Sequence, residues 1–509
     1  MNQVMKTFKN IMLLLLLFEI TACSKMLDRN LEDQPRGTLI DYTNLASMYS
    51  PVSGVYRVAE SDNPGLVHWV DAAIRAVRGD DVAKGSSPGD QATLTDIKNF
   101  QNSSPGVISF WGSNNYWNDH YGLVLYCNEA LNDLNRYAAN ISAGDAKNMA
   151  LYNEYRSEIR VVRAWAHMLV SRIYGDVPIV TSNTNLTTVG KSSMQDVRKW
   201  IISEMDSSAN YLEDARPNQA THVGAVTKYT ALLLKAKAAS DIADNDNGSP
   251  YWDTVLSATN AIINSGKFSL YPDFYQLWKI PGKMSNESLF ELQFTDFGTS
   301  TGTSILPGVF FTFQGPSGDQ KGSPISGWGF LSPTQNIVDF FNSRNDSVRL
   351  KTSVLFAGAT VNTFAVTPSG DKVYGNLNGQ TRFMGKAYLP SNQMSSGRTD
   401  YGSNNNVRVL RYADVLLLNA EAKVRKGQNG DAQLNLVRQR AKLNPITGAS
   451  LQNILDERRA EFACEWWGER YNDLIRTNQA ATVLAPFGFV TGKEYLPIPQ
   501  AQKDLNPNF

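Results

Sequence analysis

Ile159, Val162, Trp165, Leu169 and Ile173 recur at spacings of three and four, which on a 3.6-residue period places them on one stripe of a long helix. Gly175 and Pro178 then stop that helix, as a flexible residue followed by one without an N–H should. A helix with a wide apolar stripe cannot cover it alone, so the chain must supply helical partners. The sequence offers them at residues 116–141, 197–212, 226–243 and 252–264, and again at 407–427, 432–443 and 451–477. Small residues (Ala225, Ala231, Ala236, Ala238, Ala239) stand where two such helices would meet, so the pairs resemble tetratricopeptide-type hairpins without a strict 34-residue repeat. The fold class expected is therefore mainly α. The last segment, 494–509, contains three prolines and is expected not to be helical.

Between residues 282 and 406 the character changes. Gly, Ser, Thr, Asn and Pro dominate, broken by short apolar runs such as SLFELQF and by Phe310, Phe311, Phe313, Trp328, Phe330, Phe383, Tyr388 and Tyr401. A loop-rich stretch of this length inside a helical chain is usually functional. The organisation expected is a leader at 1–22, a tether at 23–40, an N-terminal helical scaffold at 41–281, an insertion at 282–406 and C-terminal helices with a Pro-rich tail at 407–509.

The leader follows from chemistry at the N-terminus. Lys6 and Lys9 precede the apolar run Ile11 to Phe18, which is too short to span a bilayer comfortably, and small residues then lead to Cys23. Ile20-Thr21-Ala22-Cys23 resembles a bacterial lipobox, so Cys23 is the expected acylated N-terminus, and several acyl chains provide the anchoring that one cannot. The polar stretch after it reads as a tether that holds the body off the lipid.

Several chemistries are excluded. With 48 basic and 48 acidic residues the chain lacks the positive excess that a nucleic-acid binder uses, so no nucleic-acid partner is expected. Three cysteines and four scattered histidines leave little for a disulfide framework or a metal site, and neither metal nor cofactor is expected. Residues 85–89, GSSPG, satisfy G-x-S-x-G but lie in a polar loop instead of a strand-to-helix turn, so no nucleophile elbow is expected. Asp244, Asp246 and Asp253 fail the calcium-loop spacing and read as a turn. Arg163, Asp176, Glu158 and Arg160, like Glu457, Arg458, Arg459, Glu461, Glu469, Arg470 and Asp473, read as helix-end ion pairs and turn caps. His167 and the rings of Trp117, Trp165, Trp252 and Trp278 read as packing.

Taken in order, the segment IRVVRAWAHMLVSRIYGDVPIVT, with Arg163-Ala164-Trp165 and Tyr174-Gly175-Asp176-Val177-Pro178, resembles the SusD/RagB family of outer-membrane nutrient-binding lipoproteins. So do VGAVTKYTALLLKAKAA, NESLFELQF, VLRYADVLLLNAEA, ERRAEFACEWWGERYNDLIR and YLPIPQAQKDLNPNF. Cys464, Trp466-Trp467 and Asp414 depart from the family's usual residues at positions that concern packing. The resemblance implies a helix-turn-helix scaffold with a loop-rich side for the ligand, and a partner, a SusC-like TonB-dependent transporter, at the outer membrane.

Sugars present apolar C–H faces to aromatic rings and hydroxyls to Asp, Asn and Arg side chains. Two clusters read as loops fit that need: His68-Trp69 with Asp71, Arg75, Arg78, Asp80 and Asp81, and Phe110-Trp111 with Asn114 and Asn115. The family's site is built from these N-terminal loops plus the insertion, which adds Trp328, Tyr388 and Tyr401. The ligand-binding residues expected are thus Trp69, Asp81, Trp111, Asn114, Trp328, Tyr388 and Tyr401. The function expected is capture of oligosaccharide at the cell surface without catalysis, and its delivery to the transporter. The alternatives are a peptide-capturing member of the same family and a surface hydrolase, which would need paired carboxylates that the insertion scarcely offers.

Overall fold

The computed structural model describes residues 40–61, 63–294, 308–394 and 405–509. Twelve helices carry the argument: α1 (Ser50–Ala59), α2 (Trp69–Val77), α3 (Trp111–Ala138), α4 (Ala146–Tyr174), α5 (Met194–Ser208), α6 (Lys228–Ala243), α7 (Tyr251–Asn264), α8 (Tyr412–Arg425), α9 (Asp431–Arg440), α10 (Leu451–Phe462), α11 (Glu469–Arg476) and α12 (Gln500–Leu505). From α3 to α9 each helix packs against the next in this series, and α7 and α8 do so across the insertion that separates them in sequence. The fold is mainly α, as the periodicity predicts.

Local chemistry sets the helix ends. Asp145 accepts from the backbone N–H of Asn148 (3.1 Å) to start α4, and Gly175, at φ 74°, ends it. A Cβ on Gly175 would lie 2.9 Å from the ring of Tyr495, so the site also needs the missing side chain. Reciprocal Thr227/Thr230 and Ser450/Asn453 capping boxes open α6 and α10. The α4 stripe is core throughout, and Trp165, 1% exposed, packs edge-on against Trp467 at 5.9 Å.

Buried ion pairs lock the scaffold helices to one another. Asp414 lies between Lys237 (2.6 Å) and Arg458 (2.8 Å), and Arg458 also reaches Asp473 (2.8 Å), joining α6, α8, α10 and α11. Arg160 and Arg163 share Glu204. His167 is buried and accepts from the Val180 N–H. These charges are structural, and Cys464, Trp466 and Trp467 are likewise buried.

Short antiparallel strand pairs organise the loop-rich region. β2 (Ser288–Leu292) pairs with β8 (Val407–Arg411), Ser288 opposite Arg411 and Leu292 opposite Val407, so the chain leaves and re-enters the scaffold at one place. β1 (Val82–Gly85) pairs with β3 (Phe330–Pro333), Gly85 opposite Phe330, which fastens the insertion to the N-terminal region. Within the insertion β4 (Val354–Phe356) pairs with β7 (Arg382–Met384), and β5 (Phe364–Val366) with β6 (Lys372–Tyr374).

Two expectations need correction. The tail is partly helical: α12 follows Pro499 directly and ends before Pro507, so the prolines bound a helix that none of them interrupts. Trp69 and Trp111 are not loop residues but the first residues of α2 and α3, each preceded by an extended residue. Among the described residues no helix is long and apolar enough to cross a membrane. Cys23 and the leader lie outside the described residues.

Candidate ligand-binding site

The β1–β3 pair and the packing of α2 on α3 together bring three distant tryptophans into contact. Trp69 is the hub: its ring centroid lies 5.8 Å from that of Trp111 and 6.2 Å from that of Trp328, with Phe313 (5.7 Å) and Phe330 (5.3 Å) on its other sides. Trp69 is half-buried, whereas Trp111 is 42% exposed and Trp328 39%. The two outer rings therefore present apolar area to solvent, while the middle ring and the phenylalanines support them. Adjacent exposed rings form a contiguous apolar patch, which marks an interaction surface where single exposed rings do not.

Each ring is held from its backbone. Trp111 opens a helix of 28 residues, so the whole of α3 fixes its position. Its indole N–H donates to Gln91 Oε1 at 3.2 Å. The backbone N–H groups of Trp328, Gly329 and Phe330 donate to Thr312, Gly315 and Phe313 carbonyls, knitting the Trp328 loop to the helical turn beneath it. Several residues around the cluster adopt left-handed backbone: Gly85, Ser86, Gln91, Gly329 and Leu331, with φ of 72°, 53°, 49°, 78° and 59°. Such conformations cost energy in non-glycine residues and persist where surrounding structure enforces them.

Comparison with known proteins decides the family. Residues 286–494 match the sequence model of the SusD family, and residues 84–234 match one described as starch-binding associating with outer membrane. The chain belongs to the SusD/RagB family. A SusD-like protein of Bacteroides ovatus is 24% identical over 366 residues, which are 69% of this chain and 63% of that protein. A SusD-like protein of Formosa agariphila is 22% identical over 99% of this chain and 98% of its own. The fold is similar to that of surface glycan-binding protein A from Bacteroides thetaiotaomicron, solved in complex with laminarihexaose, with TM-score 0.72, 23% identity, and coverage of 90% of this chain and 97% of that one.

On this SusD-type scaffold the other expected site residues that the structure describes make contacts elsewhere in the fold. Asp81 is buried under α10, where its Oδ1 accepts from Arg459 at 2.5 Å, and Asp80 takes Arg470 at 2.8 Å. Arg75 and Arg78 are buried as well, Arg78 donating to Tyr471 and to the carbonyl of Glu494. Tyr388 is 1% exposed, with its hydroxyl donated to Asp371 and Lys279 against its ring. Asn114 stands one turn after Trp111 but accepts from Gln502 (2.9 Å) of α12, so the tail occupies its oxygen. Tyr401 lies outside the described residues. Gln91 is the polar side chain that does reach Trp111, and no pattern in a polar loop singles out one amide.

Beneath the rings lies a buried polar layer. His68 Nδ1 is 2.6 Å from Asp119 Oδ2, and burial pushes the Asp119 carboxyl upward while His68 pulls it down. His120 is driven down to about 3 by burial and by Arg75, so it is neutral; its Nδ1 donates to the Tyr116 carbonyl and its Nε2 accepts from Arg75. Among the described residues His68, Asp71 and Asp119 form the group whose donor atoms, all within 4.8 Å of one another, could hold a metal ion. The direct His68–Asp119 contact is that of a hydrogen-bonded pair, shorter than two ligands of one ion normally approach. A separate cavity of about 410 Å³ lies between α4, α11 and the tail, lined by Arg172, Arg198, Asp241 and Tyr495. Arg172 and Arg198 are already paired, both to Asp241.

Proposed function

We propose that this chain captures oligosaccharide at the bacterial surface, stacking sugar rings on Trp111 and Trp328, and passes it without cleavage to a SusC-like TonB-dependent transporter. The observation that carries this reading is the convergence of Trp69, Trp111 and Trp328 into one cluster whose outer rings remain about two-fifths exposed. A pyranose offers an apolar C–H face that matches an indole, and the amide of Gln91 supplies hydrogen-bonding capacity beside it. Its Nε2 makes no hydrogen bond among the described residues, so it can donate to a hydroxyl. The relative solved with laminarihexaose and the family description that names starch support the glycan class.

Binding without turnover fits the same geometry. Asp71 and Asp119, which lie against His120 and His68, are fully buried, whereas glycoside hydrolysis needs two carboxyls flanking an accessible bond. Lipid anchoring through Cys23 would keep the body at the outer membrane beside its transporter. Calorimetry of the purified protein against a panel of β- and α-glucan, mannan and galactan oligosaccharides tests the reading. Saturable binding to one class, with the sugar recovered intact by chromatography, is expected. Binding to none, or cleavage that persists through repurification, overturns it.

A further inference from the structure

Residues 84–90, which lead into Gln91, contain the GSSPG sequence that resembles a nucleophile elbow. Lys84 is 7% exposed, and its ammonium donates to three backbone carbonyls of its own loop: Gly85 (2.9 Å), Ser87 (2.6 Å) and Asp90 (2.7 Å). An ammonium has three N–H donors, so all are committed to curling the chain around it. The same Nζ lies 5.8 Å from the centre of the Phe330 ring, under Trp69.

The two ends of this loop meet different rings. At one end the Ser86 N–H donates to the carbonyl of Gly329 at 2.7 Å, the residue after Trp328. Gly85 allows that approach, because a Cβ there would sit 2.3 Å from the Gly329 oxygen. At the other end Gln91, at φ 49°, holds the indole N–H of Trp111. From the far side Gln380 Nε2 donates to the same Gly329 carbonyl at 2.8 Å. One loop, wound on one buried lysine, thus touches the supports of both exposed rings.

We propose that the 84–91 loop is the positioning element of the aromatic platform, with Lys84 fixing the separation and tilt of Trp111 and Trp328 before any ligand arrives. The GSSPG sequence then serves backbone geometry: Gly85 permits the close approach, and Ser86 donates its N–H to the Gly329 carbonyl. Rings held in place spare the ligand the cost of ordering them on binding. The proposal rests on the ring cluster being the glycan site, so its test has an arm that needs no ligand.

The full chain is labelled with 5-fluorotryptophan, and the Trp111 and Trp328 fluorine resonances are assigned by Trp→Phe substitution. In Lys84→Met both resonances should shift or broaden while those of Trp165 and Trp252 stay in place. In Gln91→Met the Trp111 resonance alone should move. Laminarihexaose titrated into the same samples should bind Lys84→Met about tenfold more weakly than wild type, the factor expected when two rings must be ordered on binding. Unmoved Trp111 and Trp328 resonances in folded Lys84→Met overturn the proposal. Should that variant not fold, Gln91→Met decides, and an unmoved Trp111 resonance refutes it. If wild type ignores laminarihexaose, the choice of this glycan fails, and the fluorine spectra alone judge the loop.

Discussion

Truncating Trp111 to alanine separates a ligand surface from a structural one, because this ring is part of both. A tryptophan carries up to about 250 Å² of side-chain surface, and Trp111 keeps 42% of its surface exposed. About 100 Å² is thus available for a sugar to cover, which at about 25 cal/mol per Å² corresponds to about 2.5 kcal/mol. Reorganisation of the neighbouring rings recovers part of that, so a loss of about 2 kcal/mol, or thirtyfold in Kd, is expected. The covered remainder of the ring packs on Trp69 and Phe110, and removing it costs stability of about 1–2 kcal/mol, since the hole opens to solvent. Trp165→Ala supplies the contrast. It empties a fully enclosed site and should cost about 3–5 kcal/mol of stability, with the Kd of the surviving folded protein unchanged. Calorimetric titration at 10 °C with a glycan that the wild type binds, alongside denaturant melts, measures both quantities. A folded Trp111→Ala with wild-type Kd would refute the platform, and a weakened Kd in folded Trp165→Ala would show that affinity tracks general stability instead of the exposed rings.

Other outcomes follow from the buried groups and the leader. Tyr388→Phe removes the hydroxyl that Asp371 accepts inside the insertion, so its melting temperature should drop while glycan affinity stays at the wild-type value; a tenfold rise in Kd would return Tyr388 to the site. Glu158 is buried and accepts from Tyr49 (3.2 Å) and Tyr56 (2.7 Å), and burial lifts its carboxyl from the ordinary 4.5 to about 8. The native protein therefore keeps a proton that the unfolded chain loses, and stability should fall as pH rises from about 4.5 through about 8. Glu158→Gln should flatten that slope in melts across the range, leaving a residue from Glu60 and Glu154, which burial raises to about 7; an unchanged slope would show that Glu158 is ionised in the fold. Cys23→Ala should move the protein from the membrane fraction to the soluble one, and an unchanged partition together with an unacylated wild-type N-terminal peptide would defeat the anchoring expectation.

The sequence by itself determined what depends on local period and local chemistry. The stripe from Ile159 to Ile173, the stop at Gly175 and the paired small residues of α6 were sufficient to specify a stack of helices, because a 3.6-residue apolar repeat has one economical way to be buried. It also marked Trp69, Trp111 and Trp328 as candidate rings, since a large aromatic in a polar neighbourhood is visible without coordinates. The tertiary structure decided which polar groups accompany them. Asp81 looks as available in the sequence as Gln91 does, yet Arg459 of α10 claims it across more than 370 residues of chain, and Gln502 of α12 takes the side-chain oxygen of Asn114 across a similar span. Tyr388 stands in the same polar insertion as Trp328 and is buried, because packing around Lys279 and Asp371 covers it. A hydrogen-bonding side chain is satisfied by whatever the fold places within about 3 Å, and that neighbour is fixed by strand pairs such as Gly85 opposite Phe330, which no period in the sequence encodes.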